Sequence, residues 1–152
     1  MTVPPSLQTI VEQFGRAPKP LRLQLLLEYA QKVPPLPPRL AERRDEMEQV
    51  HECQTPFFVA TEFPSEDEVI FHFEAPPEAP TTRGFAGILS AGLSGQSPAA
   101  ILATPDDFYA AMGLAEVISP LRLRGMSAIM GRLKRQVRER GGQANGGSSA
   151  TQ

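Results

Sequence analysis

One cysteine, two histidines and no long apolar run describe what this 152-residue chain has least of. A solitary thiol, Cys53, closes no internal disulfide and is too few ligands for a zinc site. It also excludes a secreted disulfide scaffold, so the expected setting is a reducing, cytoplasmic one. A helix crossing a bilayer needs about 20 apolar residues in a row, and none occurs. The N-terminal "MTVPPSLQTIVEQF" is broken by prolines and lacks a basic segment followed by an apolar one, so it does not read as a secretory signal. The formal net charge is only −2, which argues against a general nucleic-acid or membrane-surface binder. No GxGxxG, P-loop or GxSxG motif is found, and no pair of carboxylates stands out.

What is present fits one domain over residues 1–140, followed by a flexible Gly/Ser-rich tail over 141–152. Charge is unevenly spread. Residues 120–140 hold seven basic side chains against Glu139, a local +6, which leaves −8 for the remainder. Two readings stand: a basic surface for an acidic partner, or a solvated helix face balanced by the acidic rest of the same domain.

Apolar spacing predicts a helix with Leu7, Ile10, Val11 and Phe14 inside, Ser6 as its cap and Gly15 as its stop. A second helix comes next, with Leu23, Leu26, Leu27, Ala30 and Val33 on one side, and "PPLPP" ends it. That proline run is a stiff connector or a proline ligand for another protein. "RLAERRDEMEQ" reads as a solvated loop or a short helix. "PFFVATEF" and "EVIFHFEA", separated by "PSED", give a hairpin in which Val69, Phe71 and Phe73 share one apolar face. His72, on the other face, is expected at or near the surface.

Helices are then predicted to bury Phe85, Ile88, Leu89 and Leu93, to start at Ser97-Pro98, and to run from a Thr104 cap to Gly113. A last helix starts at Ser119-Pro120 with Met126, Ile129, Met130, Leu133 and Val137 inward. The class is α+β, a small antiparallel sheet of about three strands packed against helices.

Cys53 sits at the boundary between a charged loop and the first strand of the hairpin. It is either a small buried hydrophobe or a reactive thiol. His51, two residues away, could face the same side and lower the thiol pKa if protonated, whereas the adjacent Glu52 carboxylate disfavours the thiolate. Arg122 lies in the first turn of the last helix, where the helix dipole disfavours a cation, so it is either compensated by a carboxylate or an anionic ligand or screened by solvent with no role. Arg83, in "TTRG", is expected to pair with Glu78 or Glu74, or to meet a partner.

The stretches "VHECQTPFFV", "RGFAGILSAGLSG", "DDFYAAMGL" and "ISPLRLRGMSAIMGRLKRQ" resemble, in order and spacing, the SufE family of sulfur acceptors, from about Leu7 to Val137. The resemblance implies helices over a three-stranded antiparallel sheet, with the reactive cysteine on a loop beside it. Cys53 falls at the acceptor position, Arg122 matches the arginine of the family's "TP-x-R" element, and Arg83 matches a basic residue. The family usually has glycine where Glu52 stands, serine for Thr55 and tryptophan for Phe58, and Pro56 is a further departure. The implied function is to take persulfide sulfur from a SufS-like cysteine desulfurase, stimulate that enzyme, and relay sulfur to iron–sulfur scaffold proteins. Such a chain is a sulfurtransferase-type carrier, a monomer or weak homodimer, with no cofactor of its own. Pyridoxal phosphate belongs to the partner. The residue reading keeps two alternatives beside this: an adaptor using the basic last helix, and a single-cysteine redox sensor.

Overall fold

The computed structural model describes residues 3–149, with side chains described through Arg140. The class is α+β, as expected. Helices α1 (Pro5–Arg16) and α2 (Lys19–Ala30) form an N-terminal pair, and a short α3 (Pro38–Ala41) leads to the sheet. Strands β1 (Glu48–Gln49), β2 (Phe58–Ser65) and β3 (Glu68–Glu74) lie side by side in that order, all antiparallel. Helix α4 (Pro80–Leu93), a short α5 (Pro98–Ala103), two 3-10 turns and the long α6 (Pro120–Ser149) complete the chain.

Register is set by which side chains must be dry. Val59 pairs with Phe73 and Thr61 with Phe71, so all four side chains share the covered face with Val69. The alternate residues Ile70, His72 and Glu74 are only half-buried. One covered face is what an antiparallel sheet of this size requires. Helices α4 and α6 supply the cover. Phe85, Ile88, Leu89 and Leu93 of α4 are fully or almost fully buried, and so is the predicted stripe of α6.

Helix α4 also packs on α2 at glycine-permitted distance. A Cβ built at Gly84 would lie 2.5 Å from the Leu26 carbonyl oxygen, and one at Gly87 would lie 1.9 Å from that of Tyr29. This crossing corrects the expected face of α2. Leu26, Tyr29, Ala30 and Val33 are buried, Leu26 and Tyr29 against Gly84 and Gly87 of α4, whereas Leu23 and Leu27 stay exposed. Backbone contact at two glycines narrows the buried stripe to the side that faces them.

Three predicted caps are reassigned. Ser6 lies inside α1 and donates to the Gly92 carbonyl at 2.7 Å, tying α1 to the end of α4; Gly15 also lies within α1 rather than ending it. The expected helix from Thr104 to Gly113 is a 3-10 turn over Phe108–Met112 instead. The Thr104 hydroxyl is committed to the Ala100 carbonyl of α5 at 2.9 Å, so it does not cap that turn. Gly113, at φ 70°, does end the turn in the left-handed conformation. Ser97 caps α5 as predicted, accepting from the Ala100 N–H at 3.1 Å. The backbone of α6 continues to Ser149, into the segment that the sequence sets apart as a tail. Extending an existing helix needs no new nucleus, which lets glycine-rich sequence continue it. Residues 150–152 of that segment lie outside the described residues.

The Gly87 contact yields a stability test. Gly87→Ala is expected to cost about 1–3 kcal/mol through overpacking and to lower Tm by roughly 4–10 °C. Gly131→Ala, with nothing within 4 Å of the added carbon, should hold or raise it. Equal midpoints for the two variants in thermal denaturation would refute the close crossing.

Candidate functional site

The loop from 50 to 57 joins β1 to β2, and Cys53 is at its centre. A bond from the Val50 N–H to the Phe57 carbonyl, 2.8 Å, closes the loop at its neck, where both side chains are fully buried. Within the loop the Cys53 N–H donates back to the Val50 carbonyl at 3.2 Å. His51 and Glu52 are exposed, and Cys53 is half-buried against the edge of the core.

The thiol rests on α6 at its second turn. A Cβ at Gly125 would sit 3.5 Å from Cys53 Sγ, ordinary van der Waals contact, so the loop lies against the helix at this position. The cleft there is lined by Thr82 and Phe85 of α4, by Leu121, Arg122 and Gly125 of α6, and by the loop itself. Its volume is about 10 Å³, barely room for one water. Thr55 Oγ1, also in the loop, is buried without a hydrogen-bond partner among the described residues. An orphaned hydroxyl of this kind costs about 1–3 kcal/mol.

Electrostatics keep the resting thiol neutral. Burial pushes the Cys53 pKa up to about 11, Glu52 adds to the rise, and Arg132 opposes it. The charges that act on the thiol are therefore Glu52 and Arg132. His51 acts on Glu52 instead, whose carboxyl is held below the usual range by its own backbone N–H and then by Arg132. At pH 8 a thiol of this pKa is ionised in about one molecule in a thousand.

Arg122 is where the sequence reading puts it, in the first turn of α6 on the wall of the Cys53 cleft. It is exposed and, among the described residues, pairs with no carboxylate; its backbone N–H donates to Ser119 Oγ at 3.3 Å. Arg83 is elsewhere. The expected pairing with Glu78 or Glu74 is not formed. Arg83 donates to the Ala30 carbonyl at 3.1 Å and the Ala75 carbonyl at 2.6 Å, tying the end of α2 to the end of β3. The last carbonyls of a helix lack intrahelical donors, and a guanidinium fork satisfies one here. Glu74 lies 3.8 Å from Arg44 instead.

The sequence reading misses the network behind the loop. Arg132 donates to Glu48 at 3.1 Å, to the Gln49 carbonyl at 2.8 Å and to Glu52 at 2.8 Å. Glu48 also accepts from Gln136 at 2.7 Å and from Arg135. Lys134 pairs with Asp106 at 2.7 Å. Much of the basic face of α6 is thus neutralised by acids of the same domain, the second of the two readings of its charge. The signal was present as Arg132, Arg135 and Gln136 at helical spacing with acids flanking Cys53, but nothing in one dimension assigned the partners.

The fold and site define a small α+β protein built around one loop thiol seated on its last helix. The chain belongs to the SufE family: residues 8–137 match the model "SufE: Fe-S metabolism associated domain". It is 51% identical over 138 residues to an uncharacterized SufE-like protein of Mycobacterium tuberculosis, covering 91% of this chain and 95% of that one. It is 31% identical over 125 residues to "SufE-like protein 1, chloroplastic/mitochondrial" of Arabidopsis thaliana, covering 82% of this chain and 32% of that longer protein. A hypothetical protein from Thermus thermophilus, solved in solution, superposes with a TM-score of 0.80 at 51% identity over 90% of this chain and 96% of its own. The family implies a role in iron–sulfur metabolism. No helix among the described residues is long and apolar enough to cross a membrane.

The thiol's environment sets its pH dependence. Alkylation of Cys53 by iodoacetamide should keep rising about tenfold per pH unit between about pH 8 and 10, since only the thiolate reacts. The half-maximal rate is expected near the pKa of about 11. A half-maximal rate at about pH 8.5 would show an ordinary, solvated thiol.

Proposed function

We propose that Cys53 accepts persulfide sulfur from a cysteine desulfurase and relays it to iron–sulfur cluster assembly. The observation that carries this is a solitary thiol on a short loop, in a cleft also lined by an arginine that pairs with no carboxylate among the described residues, in a chain of the SufE family. The Cys53 thiol first gives up its proton to solvent or to a base of the partner. The thiolate then attacks the outer sulfur of the partner's persulfide. A bond forms between Cys53 Sγ and that sulfur, and the bond to the partner's own Sγ breaks. The partner's cysteine leaves as a thiolate with the electron pair and is free to be charged again. This is thiol–disulfide exchange with a persulfide as the electrophile, and no external oxidant is needed.

Having no second cysteine suits a carrier, because nothing in the same chain can discharge Cys53 as a disulfide. Clearing the product sulfur is how the chain would stimulate a SufS-like enzyme. Pyridoxal phosphate stays with that enzyme. Arg122 is on the cleft wall; Glu52 and Arg132 act on the resting thiol, and the Arg122 charge is available to the incoming persulfide. A reducing compartment such as the cytoplasm keeps the thiol available.

Intact-mass measurement after incubation with a cysteine desulfurase and cysteine tests the reading. The chain should gain about 32 Da per sulfur, whereas oxidation would add about 16 Da per oxygen. Cys53→Ser should abolish the gain, and Arg122→Ala should slow it by an order of magnitude or so while leaving Tm within about 2 °C. Undiminished sulfur loading of Cys53→Ser would sink the proposal.

A further inference from the structure

Arg132 is held from several sides, and only one of its partners is free to leave. The Glu48 carboxylate and the Gln49 carbonyl, which accept at 3.1 and 2.8 Å, belong to β1. Glu48 is itself fixed by Gln136 and Arg135. The third partner, Glu52, belongs to the loop tip and immediately precedes the thiol. Its side chain is 52% exposed against 22% for Arg132. The guanidinium is therefore the fixed half of the pair and Glu52 the releasable half.

Apart from the packing of Cys53 against the edge of the core, few polar contacts hold the tip down. Cys53 contributes one backbone bond of 3.2 Å to Val50, and Thr55 brings a buried hydroxyl with no partner among the described residues. The cleft beside the thiol, at about 10 Å³, has room for little more than one water while the loop lies against Gly125. The closed loop thus contains an unsatisfied group, a crowded thiol and one ion pair at its rim. Glu52 and Arg132 form the ion pair at the loop tip; Arg122 also lines the cleft, from the first turn of α6, and among the described residues makes no ion pair with the loop.

We propose that Arg132 is a positioning residue that latches the Cys53 loop onto α6 through Glu52, so that loss of this ion pair releases the loop. The role of the latch in sulfur transfer rests on the proposed function of Cys53, but the latch itself is a property of this chain alone. The ion pair is partly exposed, so it holds the loop weakly. Opening frees the thiol from the helix and from the carboxylate beside it.

Arg132 acts on Cys53 in two opposite senses, which makes the latch separable from simple charge. As a cation it favours the thiolate; as a latch it keeps the thiol half-buried and slow. Alkylation by iodoacetamide, on the full chain at fixed pH, reads the balance. The latch predicts that Arg132→Gln and Glu52→Ala each speed the reaction about two- to fivefold, the factor an exposed ion pair is worth. The double variant should be no faster than the faster single one, because both remove the same interaction. Slower alkylation of Arg132→Gln, with the double variant between the two singles, would show charge acting alone and overturns the proposal. Should Arg132→Gln melt below the assay temperature, hydrogen exchange in Glu52→Ala decides. Faster exchange at the Cys53 N–H supports the latch, and unchanged exchange rejects it. No desulfurase enters either assay, so failure here is distinct from failure of sulfur acceptance.

Discussion

Burial of one stripe of α6 against the sheet is the constraint on which the site depends. Met126, Ile129, Met130, Leu133 and Val137 are all at or near zero exposure, so the helix can neither rotate nor slide without exposing apolar surface. With that stripe held, the neighbouring residues are fixed too. Gly125 and Arg132, seven residues apart, fall on the same side of the helix two turns away from each other. The first lies under the thiol and the second against Glu52. Arg122, one turn before Gly125, completes the row. A loop with almost no regular structure is thereby positioned by a helix that has no freedom.

The same packing explains why the thiol is quiet. Seating Cys53 on Gly125 removes water from the sulfur and disfavours its ionised form, and Glu52 adds to this. A quiet thiol is protected from oxidants and adventitious disulfides, since both need the thiolate. A reactive one must be more exposed, or be surrounded by more positive charge. Within the SufE family this chain has a carboxylate beside its cysteine and an arginine on α6 that meets it. The carboxylate's effect on the thiol is therefore coupled to the position of the loop, and a change in one changes the other.

Elements with strong local periodicity were legible in the sequence. The buried residues of α1, the Val69, Phe71 and Phe73 face of β3, the core residues of α4 and the whole inner stripe of α6 are where spacing puts them. The Ser97 cap was legible for the same reason, because the hydroxyl and the N–H it serves are three residues apart. The failures share a cause. Leu23 and Leu27 fit a helical stripe, but Gly84 and Gly87 of a distant helix decide which side of α2 is dry. Thr104 had the form of a cap, yet the helix before it claimed the hydroxyl. Arg83 had two nearby acids and bonded two carbonyls instead, one of them 53 residues away.

By itself the sequence determined which family the chain joins, and it singled out one cysteine for the proposed chemistry, because a solitary thiol and a few spaced motifs are properties of a linear string. It also determined the class of fold, since apolar periods of two and 3.6 residues need no knowledge of partners. Only the tertiary structure decided how the thiol is held. Glu52 and Arg132 are 80 residues apart, and Cys53 and Gly125 are nearly as distant. Charge and size in the string say that such groups can interact, but the distance between them, and hence their energy, exists only once the sheet and α6 have closed around a common core.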